Sequence, residues 1–337
     1  MSWTQVLDFE KPIVELEEQL DRTRALVESG ELSLAGEVEK LEKKLDKTRS
    51  DVYKNLSAYQ RVRLSRHFDR PFTLDYISRF ITGFTELHGD RLFGEDAAIV
   101  AGVGKFRNQP VAIVGHQRGR TTEERIIRNF GMPNPEGYRK AQRIFQMAER
   151  FELPLLLFID TQGAFPGLEG EERGQAEAIA SSLTALAGLR TPIISIVIGE
   201  GGSGGALALG ICDRLLMLEN STYSVITPEG CAAILWGKDT SADSKNGAEK
   251  AAENAKIAAE SLQLTAQALS SFSIADEIIK EPTGGAHRDH LLTAELVEAA
   301  IGRQLSALTA LAKGESGKDE LLKQRYQKFR NIGALNN

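Results

Sequence analysis

Residues 199–205 read Gly-Glu-Gly-Gly-Ser-Gly-Gly, five glycines in seven positions, between an apolar run at 192–198 and a small-residue run at 206–210. Three chemistries fit this stretch. Gly199-x-Gly201-x-x-Gly204 matches the dinucleotide fingerprint, and Glu219 stands where an acid would hold a ribose. Gly201-x-Ser203-x-Gly205 matches the nucleophile elbow, with His287 or His290 as base and Asp276 or Asp289 as its orienting acid. The third chemistry uses no side chain. If Ser203 caps a helix, the N–H groups of Gly204 and Gly205 fall in its first turn without helical partners, and two such donors suit a developing oxyanion. A glycine-dense loop satisfies a three-glycine pattern easily, so the first match carries little weight; against the second stands the less demanding role of Ser203 as a helix N-cap. A phosphate-binding P-loop is excluded because no Lys-Ser/Thr pair follows the glycines.

A second glycine loop, Asp160-Thr-Gln-Gly-Ala-Phe-Pro-Gly167, offers more bare backbone at Gly163 and Ala164. Asp160 ends an apolar run and reads as a hydrogen-bonded structural acid. Four arginines cluster nearby in sequence. Arg118 and Arg120 are candidate phosphate contacts, while Arg125 and Arg128 read as a solvated face. His116, in a glycine-flanked turn, reads as a hydrogen-bonding residue, with no second ligand at metal-site spacing. The two cysteines, Cys212 and Cys231, lack a C-x-x-C pair and read as buried thiols, so no metal is expected in this chain.

These groups need elements to position them. The apolar runs 153–160 and 192–198 read as strands buried on both faces, and each ends in a glycine loop, so their carboxyl ends should line one crevice. A hairpin is expected at 98–106 and 111–115, helices at 122–130, 135–151 and 171–189, and further strands at 214–218 and 223–226. Beyond them come a helix at 247–269, a short apolar segment at 274–279, and amphipathic helices at 288–313 and 321–330. Strand–loop–helix alternation is the grammar of an α/β layer protein. The first 80 residues differ. Ile13, Leu16, Leu20 and Val27, with Thr23 in the polar slot between the last two, then Leu34, Val38, Leu41, Leu45, Val52 and Leu56, keep a rhythm of three-, four- and seven-residue steps and predict a helical hairpin with a narrow seam. Helices are expected next at 59–67 and 73–88, and a polar surface loop at 239–246.

The chain has 337 residues, a formal charge of −6, and 42% hydrophobic and 26% charged residues. That balance argues against a general nucleic-acid or anionic-membrane binder. Its apolar runs are far short of the roughly 20 residues that cross a bilayer, and no secretory pattern opens it, so a soluble cytoplasmic protein is expected.

Longer strings carry a resemblance. Leu7-Asp-Phe-Glu-Lys-Pro-Ile13, Arg70-Pro-Phe-Thr-Leu-Asp-Tyr76, Gly115-His-Gln-Arg-Gly-Arg120, the stretch from Arg128 to Lys140, Ile198 to Ala208, Ser221 to Cys231 and Gly284-Gly-Ala-His-Arg288 resemble the alpha-subunit family of the bacterial-type acetyl-coenzyme A carboxylase carboxyltransferase. The similarity runs over nearly the whole chain. Gln162 departs from it, standing where the family usually has proline. The resemblance implies a crotonase-type α/β fold of the ClpP/crotonase class, a ββα superhelix with an N-terminal helical extension. It divides the chain into helices at 1–90, the carboxyltransferase core at 91–290 and C-terminal helices at 291–337. It also implies a beta subunit that carries zinc, a biotin carboxyl carrier protein and biotin carboxylase as partners in an ATP-binding complex, and acetyl-CoA and malonyl-CoA as substrate and product in fatty acid synthesis. Carboxybiotin on the carrier would lie against Gly201, Gly202, Ser203, Gly163 and Ala164. The N–H groups of Gly204 and Gly205 would form its oxyanion hole, and no membrane or nucleic acid would be involved.

Overall fold

The computed structural model describes residues 6–237 and 247–333; the polar stretch at 239–246 lies outside the described residues. Helices α1 (Lys11–Glu28) and α2 (Ala35–Lys54) form the expected hairpin. Ile13, Leu16, Leu20, Leu41 and Leu45 make its own small apolar cluster. Arg24 to Glu42 at 2.6 Å and Arg49 to Glu17 at 2.5 Å tie its two arms together. The root of the hairpin is fastened by Glu10, which is 1% exposed. Its Oε1 meets the Tyr53 hydroxyl at 2.6 Å, His287 Nε2 at 3.0 Å and Arg288 at 3.3 Å.

Helices α3 (Ala58–Ser65) and α4 (Thr73–Phe80) follow. The chain then enters β1 (Ile81–Glu86), where the sequence pattern predicted more helix. The β-branched and aromatic run Ile81-Thr-Gly-Phe-Thr85 favours a strand, and pairing with β2 (Ile99–Phe106) decides the matter. Strands β2 and β3 (Gln109–His116) form the predicted hairpin, turned by Arg107 and Asn108 at φ 46° and 65°, the left-handed values a two-residue hairpin needs.

Next come α5 (Thr122–Ile127), α6 (Pro135–Arg150), β4 (Leu155–Thr161), α7 (Leu168–Glu172) and α8 (Gln175–Gly188). The single helix expected at 171–189 is two, because Gly174 takes φ 82° between them. Strand β5 (Ile193–Gly202) leads into α9 (Ser203–Leu207), followed by β6 (Arg214–Leu218), β7 (Thr222–Ser224) and α10 (Pro228–Trp236). The chain continues through α11 (Gly247–Ser261), α12 (Ala266–Ser271), β8 (Glu277–Ile279), α13 (His290–Leu311) and α14 (Gly314–Asn331).

The sheet runs β1-β2-β3-β4-β5-β6-β8, antiparallel through β3 and parallel from there on, with β7 on β5. Alternation along β4 divides the core. Leu155, Leu157 and Ile159 face Phe145 and Leu186, while Leu156 and Phe158 face Tyr76 and Val297. Each such side chain contributes about 1.5–3 kcal/mol of burial. Strand β5 serves two neighbours on one side. Ile194 to Val197 pair with β6, and Glu200 to Gly202 pair with β7. Its partner register on β4 also shifts between Ile159 and Thr161. The strand therefore bends at Ile198–Gly199, and the glycine motif is mostly strand rather than loop.

Candidate active site

Four glycines of the motif answer to packing inside the chain. A Cβ would stand 2.4 Å from Asp160 Oδ1 at Gly199, 2.4 Å from Tyr223 at Gly201, 2.1 Å from the Gln162 carbonyl at Gly202, and 2.5 Å from the Ala164 nitrogen at Gly205. Gly204 is different. A Cβ there would meet only Ile179, at 3.5 Å, an ordinary contact, and in the facing loop a Cβ at Gly163 would meet only Ser203, also at 3.5 Å. So Gly163 and Gly204 are bare without an internal reason, and they flank Ser203. Gly201 and Gly202, predicted to touch a ligand, are buried in β5, whereas Ser203 is exposed and Ala164 half-buried.

Ser203 does not cap α9. The cap position belongs to Gly202, extended at φ −110° and ψ 137°, and no side chain caps the helix. Ser203 is the first helical residue and takes φ 56°, the left-handed value of a sharp strand-to-helix turn. Its hydroxyl is thus free of the structural task that the sequence suggested. The N–H groups of Gly204 and Gly205 do fall in the first turn, where intrahelical partners are missing. With only five residues in α9, the helix dipole adds little, so the donors themselves carry the electrostatics.

The turn has elbow geometry, but the hydrolase partners are engaged elsewhere. His287 is bound to Glu10, and His290 to the Asp69 carbonyl. Asp276 accepts from Leu215 N and Lys328, and Asp289 caps α13. Glu219, the acid of the dinucleotide reading, pairs with Lys280 at 2.6 Å.

The facing loop is held by Thr161, whose hydroxyl donates to the Gly163 carbonyl at 2.7 Å and accepts from Gly163 N at 3.1 Å. This ties the turn down although Gln162 replaces proline. Asp160 is 3% exposed and accepts from Glu200 N at 3.0 Å, which fits the structural role expected of it. Burial raises its pKa, against the pull of Arg118 at 3.4 Å. His116 ends β3 rather than lying in a turn. Burial lowers its pKa to about 3, so the ring is neutral, and its Nε2 is buried without a hydrogen-bond partner.

The arginines are committed unequally. Arg118 pairs with Glu200 at 3.3 Å and with Asp160; Arg120 pairs with Asp75 at 2.5 Å and covers the Phe72 ring. A phosphate at either would compete with a carboxylate. Arg125 lies 3.8 Å over Phe68 and donates to the Gly119 and Arg120 carbonyls, and Arg128 donates to the Ala97 carbonyl. A cavity of about 460 Å³ opens among Phe68, Phe72, Phe130, Arg118 and Arg125, with Gln162 at its edge. It borders the site through Gln162 and Arg118; Gly204 and Gly205 are not among its lining residues.

Among the described residues, Glu10, His67 and His287 are the one cluster whose atoms could gather on a metal ion. The Glu10 oxygen facing His287 already holds Tyr53 and the Arg288 cation, so the cluster works as a fastening. Cys212 is buried as expected, and burial raises its thiol pKa; Cys231 is only half-buried.

Residues 6–333 match a family model described as acetyl co-enzyme A carboxylase carboxyltransferase-like. Proteins named acetyl-coenzyme A carboxylase carboxyl transferase subunit alpha are similar over nearly their whole length. The one from Geobacter metallireducens is 53% identical over 98% of both chains, and that from Bacillus subtilis is 49% identical over 98% of this chain and 96% of that one. Two solved structures share the fold at low identity. Transcarboxylase 12S, with methylmalonyl-coenzyme A bound, superposes with a TM-score of 0.56 at 18% identity, over 72% of this chain. The geranyl-CoA carboxylase beta subunit of P. aeruginosa gives 0.53 at 16% identity, over 80% of it. This chain spans 42% and 45% of those two chains. The fold is therefore crotonase-type, as the sequence resemblance implied.

Proposed function

The chain belongs to the alpha-subunit family of acetyl-coenzyme A carboxylase carboxyltransferases, biotin-dependent transferases, and we propose that it supplies the biotin side of the shared active site. In this reading a beta subunit, with its own zinc, binds acetyl-CoA. A carrier protein charged by biotin carboxylase brings carboxybiotin to Ser203. The product is malonyl-CoA, and the setting is fatty acid synthesis in the cytoplasm. Among the described residues, no helix is long and apolar enough to cross a membrane. The division into helices at 1–90, a core at 91–290 and helices at 291–337 is part of the proposal.

The observation that carries it is Gly204. Neither packing nor backbone angle demands a glycine there, so its bareness answers to something outside the chain. In this reading the N–C bond of carboxybiotin would break to release carbon dioxide, the ureido nitrogen so freed would take the α-proton of the acyl-CoA, and the resulting enolate would take up the carbon dioxide. The N–H groups of Gly204 and Gly205 donate to the ureido oxygen as that oxygen gains charge, a stabilisation worth about 10²–10³ in rate per donor. Gly163 and Ala164 form the opposite wall, and the exposed Ser203 hydroxyl completes the polar edge. Gly201 and Gly202 act from beneath, through the backbone of β5. Arg118 and Arg120 stay as candidate phosphate contacts only if a ligand displaces their carboxylates.

The test removes single N–H groups. Replacing the Ser203–Gly204 or the Gly204–Gly205 amide by an ester, in a complex reconstituted with a beta subunit, should cut carboxyl transfer about 10²-fold with assembly unchanged. Full activity in both ester variants would remove the assignment.

A further inference from the structure

Strand β5 bends where it leaves β6 for β7, and a set of charged side chains holds the bend. Arg70 donates to the Ile198 carbonyl at 3.0 Å, and its own charge is met by Glu281 at 2.8 Å. Asp160 takes the Glu200 N–H. The α3 backbone also closes on this point, since a Cβ on Gly199 would stand 3.0 Å from the Ser65 carbonyl. The Glu200 side chain, 6% exposed, is gripped by Arg66 through two parallel bonds, Nε at 2.9 Å and Nη2 at 2.7 Å. Arg66 does not stop there. Its Nη1 and Nη2 reach Glu229 at 2.9 and 3.1 Å, on the first turn of α10. One planar guanidinium thus joins α3, the end of β5 and the start of α10.

Only three residues separate Glu200 from Gly204. Strand backbone is stiff over that distance, and a shift at Glu200 moves Ser203 and the first turn of α9 with it. Site geometry of this kind is sensitive, since about 1 Å of displacement costs on the order of 10²-fold in rate. Resting on the reading of Gly204 and Gly205 given above, we propose that Arg66 is a positioning residue for carboxyl transfer: by clamping Glu200 to Glu229 it fixes where β5 ends and so where the two N–H donors sit. Lysine cannot reproduce the clamp, because a point charge holds one carboxylate in place of two in a fixed plane.

The experiment uses the reconstituted complex with a beta subunit. It reads kcat, and KM for the acyl-CoA, with a free biotin derivative as carboxyl donor or acceptor. Arg66→Gln should lower kcat by about tenfold or more, with KM for the acyl-CoA within about twofold of the parent and assembly intact. Arg66→Lys should fall between the two. Glu229→Gln, at a side chain that is 44% exposed, should lower kcat a few-fold without loss of fold. It serves as the deciding variant if Arg66→Gln does not assemble. Parent-level kcat in Arg66→Gln, or in Glu229→Gln where the former fails to assemble, would overturn the proposal. So would a loss that falls on KM for the acyl-CoA and leaves kcat alone. The ester variants at Gly204 and Gly205 keep the two readings apart. If they are inert, the donor assignment fails; if they are impaired while the Arg66 and Glu229 variants are normal, only the clamp fails.

Discussion

A Cβ on Gly205 would stand 2.5 Å from the backbone nitrogen of Ala164. The start of α9 and the 160–167 loop therefore approach backbone to backbone, and the second donor is set by where that loop lies. Any side chain at 205 must push the Gly163–Ala164 peptide away. Gly205→Ala should cost about 1–3 kcal/mol of stability, as overpacking does, and lose activity with it. Gly204→Ala, facing Ile179 with ordinary room, should keep its stability. Thermal unfolding of the two variants side by side checks the contrast.

Ser203 gives a second prediction. Because it makes no cap bond, Ser203→Ala should leave stability within about 0.5 kcal/mol, short of the roughly 1 kcal/mol expected from losing a cap. Ser203→Val places a β-branched residue at φ 56° and should cost about 1–2 kcal/mol. Denaturant midpoints would decide. A Ser203→Ala loss as large as that of Ser203→Val would restore the capping role.

Acid should release the N-terminal fastening. Burial alone would raise the Glu10 pKa, but hydrogen bonds from His287 and Tyr53, the His287 charge and the Leu7 N–H bring it down to about 2. Glu281, buried against Arg70 and Asn220, is likewise lowered to about 2. A carboxylate depressed on folding contributes stability that is complete above its unfolded pKa, near 4.5, and is lost as pH falls toward 2. Stability should therefore drop across that window. Glu10→Gln should be less stable at neutral pH and should flatten the drop, read as urea midpoints against pH.

Arg70 and Glu281, at 2% and 1% side-chain exposure, form a pair that neither member can lose alone. Glu281→Ala strands the guanidinium and should cost about 3–5 kcal/mol. Replacing both by apolar residues of similar volume should cost less than that single change. A double-mutant cycle on purified protein measures the difference.

Much of the layer order was legible because buried strands and amphipathic helices leave strong periodic signals. The runs at 153–160 and 192–198 became β4 and β5, and the seam from Ile13 to Leu45 became the hairpin. Residues 81–86 were misread as helix because their strand character depends on a partner, β2, that local periodicity does not reveal. The glycine motif is legible in the sequence, but the packing that bares most of its glycines is not. Four of them answer to Asp160, Tyr223, Gln162 and Ala164, contacts that exist only after folding. Nor could sequence alone find the Arg66 clamp. Its residues lie at 66, 200 and 229, and no spacing pattern links them.

The fastening of Glu10 to His287, and of Arg70 to Glu281, spans most of the chain. A ribosome makes residue 10 long before residue 287. The N-terminal helices therefore wait, through nearly the whole of synthesis, for the groups that lock them down. The backing of the site reaches its final form only once Glu281 and His287 have been made. A nascent chain that has not yet reached Glu281 lacks the carboxylate that meets Arg70, so the backing of β5 is completed late, by groups far along the chain.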